Sequence, residues 1–435
     1  MRLRLACLLA VAFVVLTPAG ASAEAIPVGD AATRAVYLVS TGDFDAAREV
    51  LQKAVAGRRD EALHLAQLEG LILRRQGRQR EAVEVFRFIL SRNPNFTPAR
   101  IELSRTLAEI GESDAALHQL QIIELGSNDP EIRRQARAYG ESVKGRRPYG
   151  FSGYVSLLPS TNINKGSGRR TFTVGGMEFE IDDDSRGQSG WGVGTGANAY
   201  RTFQIDEATR LTASSAIDLK KYSGGTGYDE LAVSANLSLA RRFGRVELQA
   251  GPTIDYRLLA WEPYAWRYGF AAGATAELAP HTRLYSGGTF LKQNFENSSY
   301  RDGWIFLGYA GVRHAFSPSL AISITTNFTA ERTRLEHLDH NDVKLVAQVD
   351  REWRGGLITS FAAGIGCHDY DGNFPGTEIA RRDNIWSAGV TLANRNWSLR
   401  GFAPQLKYEY TRQHSNISFY DYDSHDVDLT FTKLF

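Results

Sequence analysis

Beyond Gly150, apolar and polar residues alternate one by one through most of the chain. Between Val246 and Leu258 the even positions carry Val246, Leu248, Ala250, Pro252, Ile254, Tyr256 and Leu258, while Glu247, Gln249, Gly251, Thr253, Asp255 and Arg257 fill the odd ones. The same parity runs from Trp266 to Leu278 and from Leu320 to Ala330. A period of two sends successive side chains to opposite faces of a strand, so one face is apolar and the other wet. Strands of a soluble sandwich also alternate. Long runs that end in aromatics, joined by short and long connections in turn, instead predict a transmembrane barrel. Fourteen strands are predicted, near 150–159, 189–203, 208–221, 228–241, 244–258, 265–278, 281–294, 302–315, 318–331, 341–353, 356–369, 381–395, 401–412 and 425–435.

The connections sort by length. Phe243-Gly244, Ala279-Pro280-His281, Ser317-Pro318 and Arg354-Gly355-Gly356 read as tight turns, expected on the periplasmic side, and the intervening connections read as longer outer loops. On the wet face, Glu247, Asp255, Arg257, Arg267, Glu277 and Asp350 would be costly in hydrocarbon, so they are predicted to line a watered lumen. Gly192, Gly194 and Gly196 share one parity and read as a smooth inward strip. The final strand keeps Val427, Leu429 and Phe431 on one face and closes on Phe435, as an outer-membrane insertion signal would, with Lys433 interrupting the apolar face.

Before residue 148 the period changes. Gly42, Gly77 and Gly111 recur at offsets of 35 and 34, and Ala47, Ala82 and Ala116 recur with them, as do Leu51, Phe86 and Leu120. This spacing matches the tetratricopeptide repeat, a helical hairpin of about 34 residues whose stacked copies bury a shared face and leave a concave groove. The clearest copy runs from Leu63 to Pro94, and three to three and a half copies fit residues 25–145. By the convention of that repeat the groove would carry His64, Gln67, Leu71, Arg74, Ile101 and Arg105. Arg74, Arg75, Arg78 and Arg80 read either as a solvated helix end or as a docking surface for an unfolded or acidic partner.

The first residues set the compartment. Arg2 and Arg4 precede an apolar run from Leu5 to Leu16, followed by Pro18 and Ala21-Ser22-Ala23, which is the pattern of a secretory signal peptide over residues 1–23. The run is shorter than the roughly 20 residues that span a bilayer. A periplasmic helical domain over 24–147 and a barrel over 148–435 follow, with Lys144-Gly145-Arg146-Arg147-Pro148 as the expected joint. All seven tryptophans lie in the barrel part. The expected fold is therefore an α + β two-domain membrane protein, with tetratricopeptide-like α-helical repeats ahead of an antiparallel transmembrane β-barrel of about 14 strands.

Charge and cysteine content narrow the function. Lys and Arg number 50 against 49 Asp and Glu, so no global field favours nucleic acid as a partner. Cys7 leaves with the leader and Cys367 alone remains, which rules out a disulfide within the mature chain. His337, Asp339, His340 and Asp342 come nearest to a metal-binding pattern but read as a short polar outer loop, and Asp369-Tyr370-Asp371-Gly372-Asn373 comes nearest to a calcium loop but reads as a turn. The acidic run Asp182-Asp183-Asp184 reads as a solvated outer loop. No catalytic, cofactor or metal site is expected, and the chain is not read as an enzyme.

A leader, helical repeats and a barrel of this size come with Ser160-Thr161-Asn162-Ile163-Asn164 after the first strand and Phe172-Thr173-Val174-Gly175-Gly176 ahead of the second. Together they resemble the surface lipoprotein assembly modulator (Slam) family, associated with the type XI secretion route, across essentially the whole mature chain. The resemblance implies an outer-membrane translocon for a client, either a surface lipoprotein or a secreted ligand-binding protein. The expected partners are that client, a periplasmic chaperone, the barrel-assembly machinery and the outer membrane, with the barrel monomeric. A second expectation is an exopolysaccharide export porin with a periplasmic tetratricopeptide domain, although its helical arm would be longer. A nutrient channel is a third, and it would leave the repeats without a role.

Overall fold

The computed structural model describes residues 29–433 except 147, 175–176, 224–225, 395–396 and 398–401. The expected leader and Phe435 lie outside the described residues. Seven helices come first among them: α1 (Gly29–Thr41), α2 (Phe44–Val55), α3 (Glu61–Arg75), α4 (Gln79–Arg92), α5 (Thr97–Glu109), α6 (Ser113–Gly126) and α7 (Pro130–Arg146). Each packs on the next, and α1 also meets α3.

The sequence repeat is a structural one. Gly42, Gly77 and Gly111 adopt φ of 92°, 80° and 89°, a left-handed conformation that glycine enters without steric cost. Each ends a helix with the same bond from the following residue: Asp43 N to Leu38 O at 2.9 Å, Arg78 N to Leu73 O at 2.9 Å and Glu112 N to Leu107 O at 2.8 Å. Ala47, Ala82, Ala116, Leu51, Phe86 and Leu120 are all buried where the helices meet. At Gly70 a Cβ would stand 2.6 Å from the ring of Phe86, so only glycine lets α3 approach α4 this closely. Gly70→Ala is therefore expected to destabilise the helical domain by about 1–3 kcal/mol. The check is helical circular dichroism of the full chain in detergent, which should be lost at lower denaturant while the barrel signal holds.

The strands are β1 (Tyr149–Leu157), β2 (Thr171–Val174), β3 (Met177–Glu180), β4 (Gly192–Gln204), β5 (Thr209–Tyr222), β6 (Glu230–Phe243), β7 (Val246–Leu259), β8 (Glu262–Ala279) and β9 (Thr282–Phe295). They continue as β10 (Gly303–Ser317), β11 (Leu320–Arg332), β12 (His340–Glu352), β13 (Leu357–Asn373), β14 (Ala380–Asn394), β15 (Phe402–Ser415) and β16 (Tyr422–Lys433). All but β2 and β3 form one closed antiparallel barrel of fourteen strands, in which consecutive strands are neighbours and β1 closes onto β16. β2 and β3 pair only with each other, inside the long connection from β1 to β4. Closure leaves no long free edge and satisfies backbone groups within the wall, which is what hydrocarbon demands. Outward residues such as Leu248, Ile254, Trp266, Tyr268, Phe270, Phe361 and Trp386 are exposed and large, as a lipid-facing band requires.

The structure departs from the sequence reading at four places. α7 continues through Lys144-Gly145-Arg146 and β1 begins at Tyr149, because one glycine near a helix end does not terminate the helix. The β7–β8 connection, expected to be long, is the two-residue turn Ala260-Trp261 with φ of 53° and 67°. Such a hairpin turn usually carries Asn or Gly, so its sequence gave no signal. The stretch Asp369–Asn373 is the end of β13, with Asp371 N bonded to Asp339 O at 2.9 Å, and not a turn. β16 begins at Tyr422, earlier than the apolar parity suggests, because its first residues, though polar, join the backbone ladder with β15, Tyr422 opposite Gln413.

Candidate functional site: a lumen capped by helices

Each of the six charged residues predicted for the wet face has an ion-pair partner. Glu247 bonds Arg210 at 2.5 Å, and Asp255 bonds Arg267 at 2.9 Å and Arg257 at 3.3 Å. Asp350 accepts from Arg313 at 2.6 Å. Glu277 pairs with Arg137 of α7 at 2.5 Å. The inward glycines of β4 make room for larger side chains: a Cβ on Gly192 would meet Tyr222, and one on Gly196 would meet Tyr154 and Asp218.

Glu277 leads to the second feature, the seating of the helical domain on the end of the barrel that carries the tight turns. Arg137 also binds Glu124 of α6 at 2.7 Å, and Glu124 reaches Arg283 of β9 at 3.3 Å. Burial works against the Arg137 charge, and the two carboxylates more than offset it, so its pKa is raised. Glu141 of α7 meets Arg242 at 3.2 Å, and the Tyr200 hydroxyl donates to Asp114 at 3.0 Å. The turns themselves take part. Gly355 N donates to Ser91 O at 2.6 Å, and His281 Nδ1 lies 2.6 Å from Leu125 O. A Cβ on Gly126, the last residue of α6, would stand 2.6 Å from the backbone of Pro318.

Arg100 of α5 is fully buried and joins the two domains at one point. Its Nη2 donates to Glu352 at 2.5 Å and to Pro94 O at 2.8 Å, and its Nη1 donates to Gln119 of α6 at 2.7 Å. No sequence signal singled out Arg100, since an arginine on a helix is ordinarily a solvated one.

Beneath α6 the lumen opens into a cavity of about 560 Å³. His118, Gln121, Ile122 and Leu125 form its helical side, and Arg283, Tyr285, Arg313, Asp350, Ser360 and Gln405 its barrel wall. The six groove residues expected on the helices do not all share one open surface. Leu71 is in the core, Ile101 packs toward α6 and α7, and His64 stacks edge-on against Phe96 while bonding Asp60 at 3.0 Å. Gln67 is half-buried on α3. Arg74 and Arg105 converge on Glu102, the second at 2.7 Å, and Arg78 pairs with Glu81 at 2.6 Å, so much of the basic helix end is already neutralised.

The segment after β1 lies at the opposite end of the barrel, beside the start of β16. Asn162 Oδ1 accepts from Gly166 N at 2.9 Å, and its Nδ2 donates to Gly166 O at 3.0 Å and to Asp423 O at 3.3 Å. Asn164 Nδ2 donates to Arg186 O at 2.8 Å, and its Oδ1 accepts from Gln188 N at 3.0 Å. The two asparagines thus staple the ends of the long connection together against β16. Asp339 Oδ1 accepts from Thr333 N at 2.6 Å and acts as a turn residue, and His340 Nε2 stands 3.6 Å from Asp342, both on β12.

A family model described as surface lipoprotein assembly modifier matches residues 149–435. A surface lipoprotein assembly modifier of Pasteurella multocida is 20% identical over 417 residues, covering 89% of this chain and 79% of the relative. Surface lipoprotein assembly modifier 1 of Neisseria meningitidis serogroup B is 20% identical over 380 residues, covering 84% of this chain and 75% of the relative. Among solved structures, the outer membrane protein OprD from Pseudomonas aeruginosa aligns with a TM-score of 0.32 at 10% identity, covering 65% of this chain and 92% of that one.

Proposed function

The chain belongs to the surface lipoprotein assembly modifier family, and from that premise we propose that it is an outer-membrane translocon carrying a client lipoprotein or secreted ligand-binding protein to the cell surface. The helical domain would then sit in the periplasm, at the mouth through which the client enters. The observation that carries this reading is the charged inner wall, paired from Glu247 to Asp350, which opens beneath α6 into the capped cavity. A polar wall lets an unfolded chain keep its hydration as it passes. Folding of the client outside would supply direction without a nucleotide. A periplasmic chaperone would deliver the client to the helices, and the barrel-assembly machinery would insert the barrel. The chain acts here without a catalytic step.

Deleting the chain from its host is expected to abolish surface exposure of at least one lipoprotein, read by protease shaving of intact cells. Restoring the chain should restore that exposure. Normal surface exposure of the host's lipoproteins after deletion would refute the proposal.

A further inference from the structure

The end of the barrel that carries the tight turns has a belt of cations on its outer face. Arg201, Arg241 and Arg351 each lie two residues before an outward aromatic near the end of a strand, and each guanidinium stacks on that ring: over Phe203 at 4.9 Å, over Phe243 at 5.4 Å and over Trp353 at 4.3 Å. On a lipid-facing wall such side chains keep their stems in hydrocarbon and their charge among the headgroups. The belt therefore marks the level of the lipid phosphates.

Beside α7 the same level is set by Phe243 and Leu278, both outward and exposed. The chain turns directly beyond them, at Gly244-Arg245 and at Ala279-Pro280. A strand residue advances about 3.3 Å, and the polar layer of one leaflet is roughly 5–8 Å deep, so these turns stand among the headgroups.

Between the turns and α7 lies a pocket of about 270 Å³. Arg133, Arg134, Arg137, Arg245 and Arg283 line it, against two carboxylates, Glu124 and Glu277. Both carboxylates already hold Arg137, and Glu124 also meets Arg283. Glu131, outside the pocket, takes Arg134. The remaining donors have little to bind. Arg245 is exposed and makes no ion pair among the described residues. Arg283 Nε is buried without an acceptor, and Arg133 uses Nη1 alone, on Ser127 O at 2.7 Å.

We propose that this pocket binds the phosphate of an anionic phospholipid from the leaflet at the helical end of the barrel. A phosphate accepts the paired, charge-assisted bonds that guanidinium forks offer. Arg245 and Arg283 hold it from the barrel and Arg133 from α7, while the acyl chains stay outside the wall against Phe243 and Leu278. The headgroup then ties the helical domain to the rim at a second place besides Arg100. An anionic headgroup suits the surplus of arginines, whereas a zwitterionic one brings its own cation against them. The inference goes beyond the translocon reading and holds whether or not a client passes the lumen.

Native mass spectrometry of the full chain in detergent tests the site, with phosphatidylglycerol, phosphatidylcholine and inorganic phosphate as probes. The chain is expected to retain phosphatidylglycerol in preference to phosphatidylcholine, and Arg133→Ala with Arg245→Ala to cut that retention at least tenfold. Arg201→Ala with Arg351→Ala removes the same charge from the belt and should leave retention unchanged. If the pocket double variant fails to migrate as a compact species on an unheated gel, Arg245→Ala alone should still lower retention, since that side chain makes no ion pair whose loss could unfold the chain. Unchanged retention in the pocket variants would overturn the site. Equal loss from the belt variant would overturn it too, because the lipid would then be adhering to the general charge of the rim, and so would equal retention of the two lipids. Binding of inorganic phosphate that depends on Arg133 and Arg245, with no retention of phosphatidylglycerol, would make the occupant a free ion and overturn the lipid.

Discussion

Arg100→Ala is expected to release the helical domain from the barrel mouth, at a cost of about 3–5 kcal/mol, the range for breaking a buried charge pair by removing one partner. One guanidinium holds three elements. It fixes the corner before α5 through Pro94 O, braces α6 through Gln119, and anchors both to the barrel through Glu352 at 2.5 Å. Arg100→Lys should recover little, because an ammonium cannot present the same planar fork to three acceptors. Hydrogen exchange on the full chain in detergent measures the effect. Amides of α5 and α6 should exchange faster in the variant, while the β11 and β12 ladder stays protected. Unchanged protection of α5 and α6 would mean that the ion pairs of Arg137 and Glu141, and not Arg100, hold the cap.

The capping arrangement itself could not be read from the sequence, and the reason is physical. Dyad alternation survives in the sequence because lipid imposes one polarity on every outward residue, so the strand limits fall close to expectation over most of the wall. The helical repeat is legible for a similar reason: Gly42, Gly77 and Gly111 each have to supply a positive φ at the same point of the hairpin. The contacts between domains follow no such period. Arg100, Glu124 and Gly126 each meet a single turn or strand of the barrel, and their neighbours in sequence say nothing about it. Groove residues inferred from repeat convention fared unevenly for the same cause. Convention gives the face of a helix, but whether that face stays open depends on what packs across it, and α6 and α7 cover Ile101. The Asn162 and Asn164 staples were visible as a motif, whereas their partners at Asp423 and Gln188 lie far along the chain.

The largest effect is expected at a position where the wall tolerates no side chain. Gly269 of β8 pairs with Leu291 of β9, and a Cβ there would fall within bonding range of the Phe290 carbonyl oxygen and 2.9 Å from Leu291 Cα. Both obstacles are backbone, so no rotamer change relieves them, and the strands would have to part at a place where hydrocarbon offers no other partner for their N–H and C=O groups. Gly269→Val should therefore keep the barrel from closing. Gly227→Val, in a loop where a Cβ meets nothing within 4 Å, is the matched control. Unheated samples on a denaturing gel report the outcome, since a closed barrel resists the detergent and migrates as a compact species. The Gly269 variant should run only as the unfolded band and the control as the compact one. A compact band from Gly269→Val would show that β8 and β9 can shift register to absorb the side chain, and the close approach would then be a convenience of this sequence and not a condition of closure.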